Sequence, residues 1–145
     1  MFTRRAALFA ATAAVAFAGP AFAQTRLNPN TATAAQLNAV QGMTPALSAA
    51  IIAGRPYASA VEFNAKLRET QSEEQAKAIL VNVFVPVNLN TGTREQIALI
   101  PGMTNRMIRE FLEYRPYANI EVFNREIGKY VSPEEVARFR SYVTL

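Results

Sequence analysis

The chain has 145 residues, with 15 Lys+Arg against 11 acidic residues that are all Glu, and it contains no His, Cys, Trp or Asp. That length allows one ordinary domain or two very small ones. The missing residue types exclude disulfides, the usual zinc sites, Ser-His-Asp and Cys-His nucleophiles, and aspartate-based phosphoryl transfer. Glutamate pairs could still run glycosidase chemistry, but every Glu falls in a stretch that reads as a helix with a solvated face, so a non-enzymatic protein without metal or cofactor is expected.

Residues 1–23, MFTRRAALFAATAAVAFAGPAFA, open the chain. Arg4 and Arg5 precede an uncharged Ala-rich run over residues 6–19, and the small-x-small triplet Ala21-Phe22-Ala23 closes it, which predicts a cleaved export signal. As a helix the run would rise about 21 Å, short of the roughly 30 Å hydrocarbon core, so no stable membrane span is expected after cleavage. Thr3-Arg4-Arg5 partly fits a twin-arginine signal, and Sec export is the other route. Either route predicts a periplasmic or secreted protein. Loss of Arg4 and Arg5 lowers the formal net charge from +4 to +2, which leaves little general electrostatic pull on a polyanion.

Residues 27–67 align without gaps to residues 87–127 at a constant offset of 60. Identical pairs include Asn28/Asn88, Asn30/Asn90, Thr33/Thr93, Gln36/Gln96, Gly42/Gly102, Met43/Met103, Thr44/Thr104, Arg55/Arg115, Pro56/Pro116, Tyr57/Tyr117 and Phe63/Phe123. These are caps, turns and core anchors, so one fold used twice is expected: unit one over residues 24–85 and unit two over residues 86–145.

Four short helices are predicted in each unit. The first begins at a capping box, Thr33 with Gln36 or Thr93 with Gln96, and ends at Gly42 or Gly102. The second follows Thr44 or Thr104, takes Pro45 at its first position in unit one, and stops before Pro56 or Pro116. Met107, Ile108, Phe111 and Leu112 give it a helical apolar period. The third is marked by Phe63 and Leu67, and by Ile120, Phe123 and Ile127. The fourth starts at two more capping boxes, Ser72 with Gln75 and Ser132 with Glu135, with core positions Ala76, Ile79 and Val83 matching Val136, Phe139 and Val143. Residues 81–92, rich in Val and containing Pro86, read as an extended join. A unit of this size without disulfide or metal buries little, so the two units should pack into one all-α body.

The turns Gln41-Gly42-Met43-Thr44 and Pro101-Gly102-Met103-Thr104 each join two short helices, a helix-hairpin-helix pattern. Glycine lets backbone approach a phosphate closely, and free amides at the start of the second helix can hold anionic oxygens without reading bases. The candidate phosphate-binding residues are Gly102, Met103, Thr104, Asn105, Arg106 and Arg109 in unit two, with Gly42 and Thr44 in unit one.

The string VNLNT, a short helix, PGMT, and a helix ending in YRPY resembles the helix-hairpin-helix module of ComEA-like competence DNA receptors and their exported relatives. The resemblance extends once per unit over nearly all of residues 27–145. It implies a compact helical domain that binds duplex DNA without sequence specificity outside the inner membrane; a wider set of relatives is associated with type II secretion. Thr44 and Thr104 stand where the family usually has a second glycine: the hydroxyl could donate to phosphate, or cap the helix and occupy an amide. Of the later turns, where the family carries glycines, Arg68-Glu69-Thr70-Gln71 has none and Gly128-Lys129-Tyr130-Val131 has one, and both read as structural.

The units also differ on the outward side of the second helix, where Arg106, Arg109, Glu110 and Glu113 face Ala46, Ala49, Ala50 and Ala53 in the alignment. Arg106 and Arg109 are either phosphate ligands or i,i+4 partners of Glu110 and Glu113. The alanine face is expected to pack on unit two or on a protein partner, a neutral exposed face being the other reading. Arg55 and Arg115 are expected to complement the helix dipole in the last turn, and Asn28, Asn30, Asn88 and Asn90 to tie down backbone. Two functions follow: weak duplex-DNA binding led by unit two, or a periplasmic interaction or scaffold module that keeps the fold without DNA.

Overall fold

The computed structural model describes residues 26–145; the leader expected over residues 1–23 lies outside the described residues. The chain folds as an all-α body. Helices α1 (Ala34–Asn38), α2 (Pro45–Ala53), α3 (Ala60–Arg68) and α4 (Glu73–Leu80) form the first half. The short strand β1 (Val87–Asn88) leads into α5 (Arg94–Ala98), α6 (Asn105–Glu113), α7 (Ile120–Ile127) and α8 (Pro133–Arg140), and β2 (Val143–Thr144) ends the second half. Helix starts in the two halves differ by 60 residues throughout.

Side-chain caps set those starts. Thr33, Thr44, Ser59 and Ser72 in the first half, and Thr93, Thr104, Asn119 and Ser132 in the second, each accept from the amide three residues on. Reciprocal capping boxes close at Thr33, Ser72 and Thr93. The box expected at Ser132 forms only its first half. Ser132 accepts from the Glu135 amide at 3.2 Å, while the Glu135 carboxylate turns to the Arg138 guanidinium, a charge-assisted fork that outcompetes a neutral amide.

The fourth helices end at Leu80 and Arg140, so Val83 and Val143, expected on them, lie beyond. There the chain extends and its backbone pairs with the strand that entered the same half: Leu27 bridges Val83, and Val87–Asn88 lies parallel to Val143–Thr144. The Leu89 amide donates to the Thr144 carbonyl at 2.8 Å, whereas Pro29 at the matching position has no amide to give. The first-half pairing is therefore shorter.

The entering loops are fixed by the asparagines as expected. Asn28 and Asn88 accept from the Asn30 and Asn90 amides at 2.9 Å; Asn30 and Asn90 then exchange paired bonds with the Tyr57 and Tyr117 backbones at 2.7–3.0 Å. Arg55 and Arg115 correct the dipole expectation: they lie past the ends of α2 and α6, with no basic residue in either last turn. Arg55 instead clamps the Pro29 and Ala32 carbonyls, and Arg115 donates to Gly92 at 2.6 Å. Each guanidinium ties a helix exit to a loop entrance.

One apolar core runs through both halves and includes Phe63, Leu67, Ile79 and Phe84 together with Phe111, Phe123 and Phe139. In the second half, rings meet edge to face, Phe111 with Phe123 at 5.2 Å and with Phe139 at 5.4 Å. The halves are joined by Phe84 against Tyr142 at 5.1 Å, and the Tyr142 hydroxyl donates to the Val81 carbonyl at 2.8 Å. Burial pushes the Tyr142 phenol up from its ordinary pKa, so it stays a donor. Arg26 lies over the same ring at 4.8 Å and donates to Ser141 at 3.1 Å, fastening the start of the described chain to its end.

Candidate nucleic-acid interface

Both turns use glycine in the left-handed region, φ 86° at Gly42 and 75° at Gly102, which a Cβ would strain. Each turn closes by one backbone bond, Met43 to the Val40 carbonyl at 3.0 Å and Met103 to Ile100 at 3.1 Å. Thr44 and Thr104 act as caps, accepting from Leu47 at 3.1 Å and Met107 at 3.2 Å. The threonines therefore occupy one amide in each helix start.

The remaining amides distinguish the halves. At the start of α6, Asn105 and Arg106 carry amides ahead of the first intrahelical bond, Ile108 to Thr104 at 2.9 Å, and both residues are exposed. At the start of α2, Pro45 removes the first of these donors and leaves Ala46. Gly102 and Thr104 are exposed and Met103 half-buried, so the second-half turn presents its backbone to solvent with most of its expected residues together.

Arg106 and Arg109 are exposed on α6, and neither lies within salt-bridge distance of Glu110 or Glu113 among the described residues. The i,i+4 pairs do not form. The Arg106 guanidinium sits over the Tyr130 ring at 5.4 Å, and the Tyr130 hydroxyl meets that of Tyr114 at 2.8 Å. Sequence reading took Tyr130 as part of a structural turn and missed this contact. The available signal was that Tyr114 and Tyr130 stand 60 residues from Gly54 and Thr70, at the offset that relates the halves.

Arg138 was missed as well. Its guanidinium reaches from α8 to the Pro101 carbonyl in the turn and is paired with Glu135, whose carboxyl it holds below the usual carboxylate range by hydrogen bonding. The matching first-half residues are Ala78 and Gln75, so the first-half turn has no counterpart of this charged pair. Beside this turn an open groove of about 870 Å³ separates it from α4, with Arg68, Lys77, Val81, Leu99 and Met103 among its walls.

The alanine face of α2 does not pack on the second half: Ala46, Ala49 and Ala53 are exposed and Ala50 is half-buried. Leu47, Ser48 and Ile51 are the buried side of that helix, and Ser48 donates to Asn38 of α1 at 2.6 Å, which turns the alanines outward. Among the described residues, no cluster of metal-ligating side chains occurs and no helix is long and apolar enough to cross a membrane. In comparisons with known proteins, the chain matches no family model, no curated protein and no solved structure.

Proposed function

We propose that this chain is an exported protein of two tandem helix-hairpin-helix units, similar in kind to ComEA-like DNA receptors, that binds duplex DNA weakly and without sequence specificity through backbone phosphates. The second half is the working half. One observation carries this reading: the start of α6 presents the Asn105 and Arg106 amides beside two exposed arginines, Arg106 and Arg109, that no carboxylate among the described residues neutralises within salt-bridge distance. Free amides at a helix start and nearby guanidinium groups are what a phosphate needs, and they carry no base information. The protein of residues 24–145 should bind mixed-sequence duplex with an affinity that falls linearly in log-log salt. Arg106→Ala with Arg109→Ala should weaken all sequences alike and flatten the slope by about two, one per lost phosphate contact. Unchanged affinity would defeat the assignment.

The exposed, uncharged α2 face of Ala46, Ala49 and Ala53 supports a second reading, a periplasmic interaction or scaffold module of the kind associated with secretion. Absence of salt-dependent DNA binding by the unsubstituted protein would favour it. Export itself is checked by mass spectrometry of the mature chain, which should begin at Gln24.

A further inference from the structure

We propose that Tyr130, braced by Tyr114, is a positioning residue that holds the Arg106 guanidinium in a fixed place on the outer side of α6, so that it meets a DNA phosphate already ordered. This rests on the DNA-binding reading above. The geometry is a short chain of contacts: Tyr114 hydroxyl to Tyr130 hydroxyl at 2.8 Å, then the Tyr130 ring under Arg106 at 5.4 Å. Arg106 is exposed on α6, so its guanidinium, stacked on the ring, stays accessible to a phosphate from solvent.

The fold does not require this platform. The first half builds the same glycine turn, the same Thr cap and a second helix of the same 9 residues with Ala46, Thr70 and Gly54 at the three positions. Of the two cations on this tyrosine pair, Arg106 is the one without an ion-pair partner among the described residues. Lys129 lies over Tyr114 at 5.3 Å but is ion-paired to Glu126. Glu110, one helical turn from Arg106, lies toward the Tyr130 phenol instead; the Tyr114 hydroxyl, then burial, then Glu110 raise that phenol above its ordinary pKa. The ring under Arg106 therefore stays neutral near pH 7 and does not compete with phosphate. An exposed arginine must lose side-chain freedom when it binds, and a stacked one has lost part of it already.

The test titrates a labelled mixed-sequence duplex at several salt concentrations with the protein of residues 24–145 and its Arg106→Ala, Tyr130→Ala and Tyr130→Leu variants. Tyr130→Leu keeps apolar volume but no aromatic face, which guards against a folding defect in Tyr130→Ala. Both Tyr130 variants should lose roughly threefold to fivefold in affinity while keeping the salt slope, because no charge is removed. Arg106→Ala should lower the slope by about one, and adding Tyr130→Leu to it should cost nothing further. Wild-type affinity in the Tyr130 variants, or an equal loss with Arg106 already absent, overturns the positioning role alone. An unsubstituted protein without salt-dependent binding overturns the DNA reading and this role with it.

Discussion

The turn and helix at residues 41–53 and their counterpart at residues 101–113 share a backbone and little of their outer surface. Each has a left-handed glycine, a threonine cap at 3.1–3.2 Å, a second helix of 9 residues, and an arginine beyond it that clamps the entering loop. Outward, one presents Ala46, Ala49 and Ala53, and the other Arg106 and Arg109 with a tyrosine pair and the Arg138–Glu135 fork alongside. The caps, turn glycines and buried anchors that build the element are common to both, and the solvent-facing positions differ. Charge and aromatic character are concentrated on the second half.

The largest expected effect tests whether the two halves are one cooperative body. Phe63 and Phe123 are fully buried at matching positions; Phe123 meets the Phe111 and Tyr117 rings, and Phe63 meets Tyr57. Phe63→Ala and Phe123→Ala should each destabilise by about 3–5 kcal/mol through lost burial and a residual cavity. Because the core is continuous and Tyr142 spans the halves, both variants should unfold in urea as a single transition by circular dichroism. A variant that melts in two steps would separate the halves energetically.

Next in size are the turn glycines. Gly42→Ala and Gly102→Ala should each cost about 1–2 kcal/mol, since both impose a side chain on left-handed backbone. The surroundings differ: a Cβ at Gly42 would rest 3.9 Å from Ile79, while one at Gly102 would meet the Arg138 Nη2 at 2.9 Å. The second contact is with the end of a flexible side chain, which can yield, so the two melting temperatures should fall by similar amounts. A much larger drop at Gly102 would mean that Arg138 is rigidly held against the turn.

Most of the fold was legible because it is written in local chemistry. Thr33, Thr44, Ser72, Thr93, Thr104 and Ser132 mark helix starts that the structure reproduces, and Phe63, Leu67, Phe123 and Ile127 are core as their spacing requires. What was misread depended on partners distant in sequence. Val83 and Val143 fit a helical period but serve strands paired to Leu27 and Val87, and Arg55 fits a helix end but answers carbonyls 23 and 26 residues back. At the candidate site the hairpin and its arginines were visible. The Tyr114–Tyr130 platform and the Arg138 buttress arise only when the last two helices fold back on α6 and its turn.

The alanine side of α2 gives a smaller effect. With Ala49 and Ala53 exposed, Ala49→Arg together with Ala53→Glu places an i,i+4 pair on a solvated helix and should leave stability within about 0.5 kcal/mol. Thermal melts of the purified protein check this. A loss above about 1 kcal/mol would show that this face is covered in solution by another copy of the chain.

The smallest expected effect is a local acid response confined to the second turn. Hydrogen bonds from Arg138 hold Glu135 below the ordinary Glu pKa, so the pair's stabilisation is fully present above the unfolded Glu value of about 4.3 and is lost as pH falls through the folded value. Arg138 also holds the Pro101 carbonyl, so protonating Glu135 should be felt at Gly102 and Met103. Their amide shifts, followed by NMR from pH 7 downwards, should titrate with a midpoint below the ordinary Glu range. Glu73, lowered by Lys77 within α4, borders the same groove and could move these shifts too, which is why Glu135→Gln is the decisive control. The variant should flatten the response at Gly102 and Met103, and Gly42 and Met43, in a half that has Ala78 and Gln75 at the positions of Arg138 and Glu135, should stay flat in both proteins. An equal titration at the two turns would mean that the Arg138 buttress does not couple α8 to the hairpin.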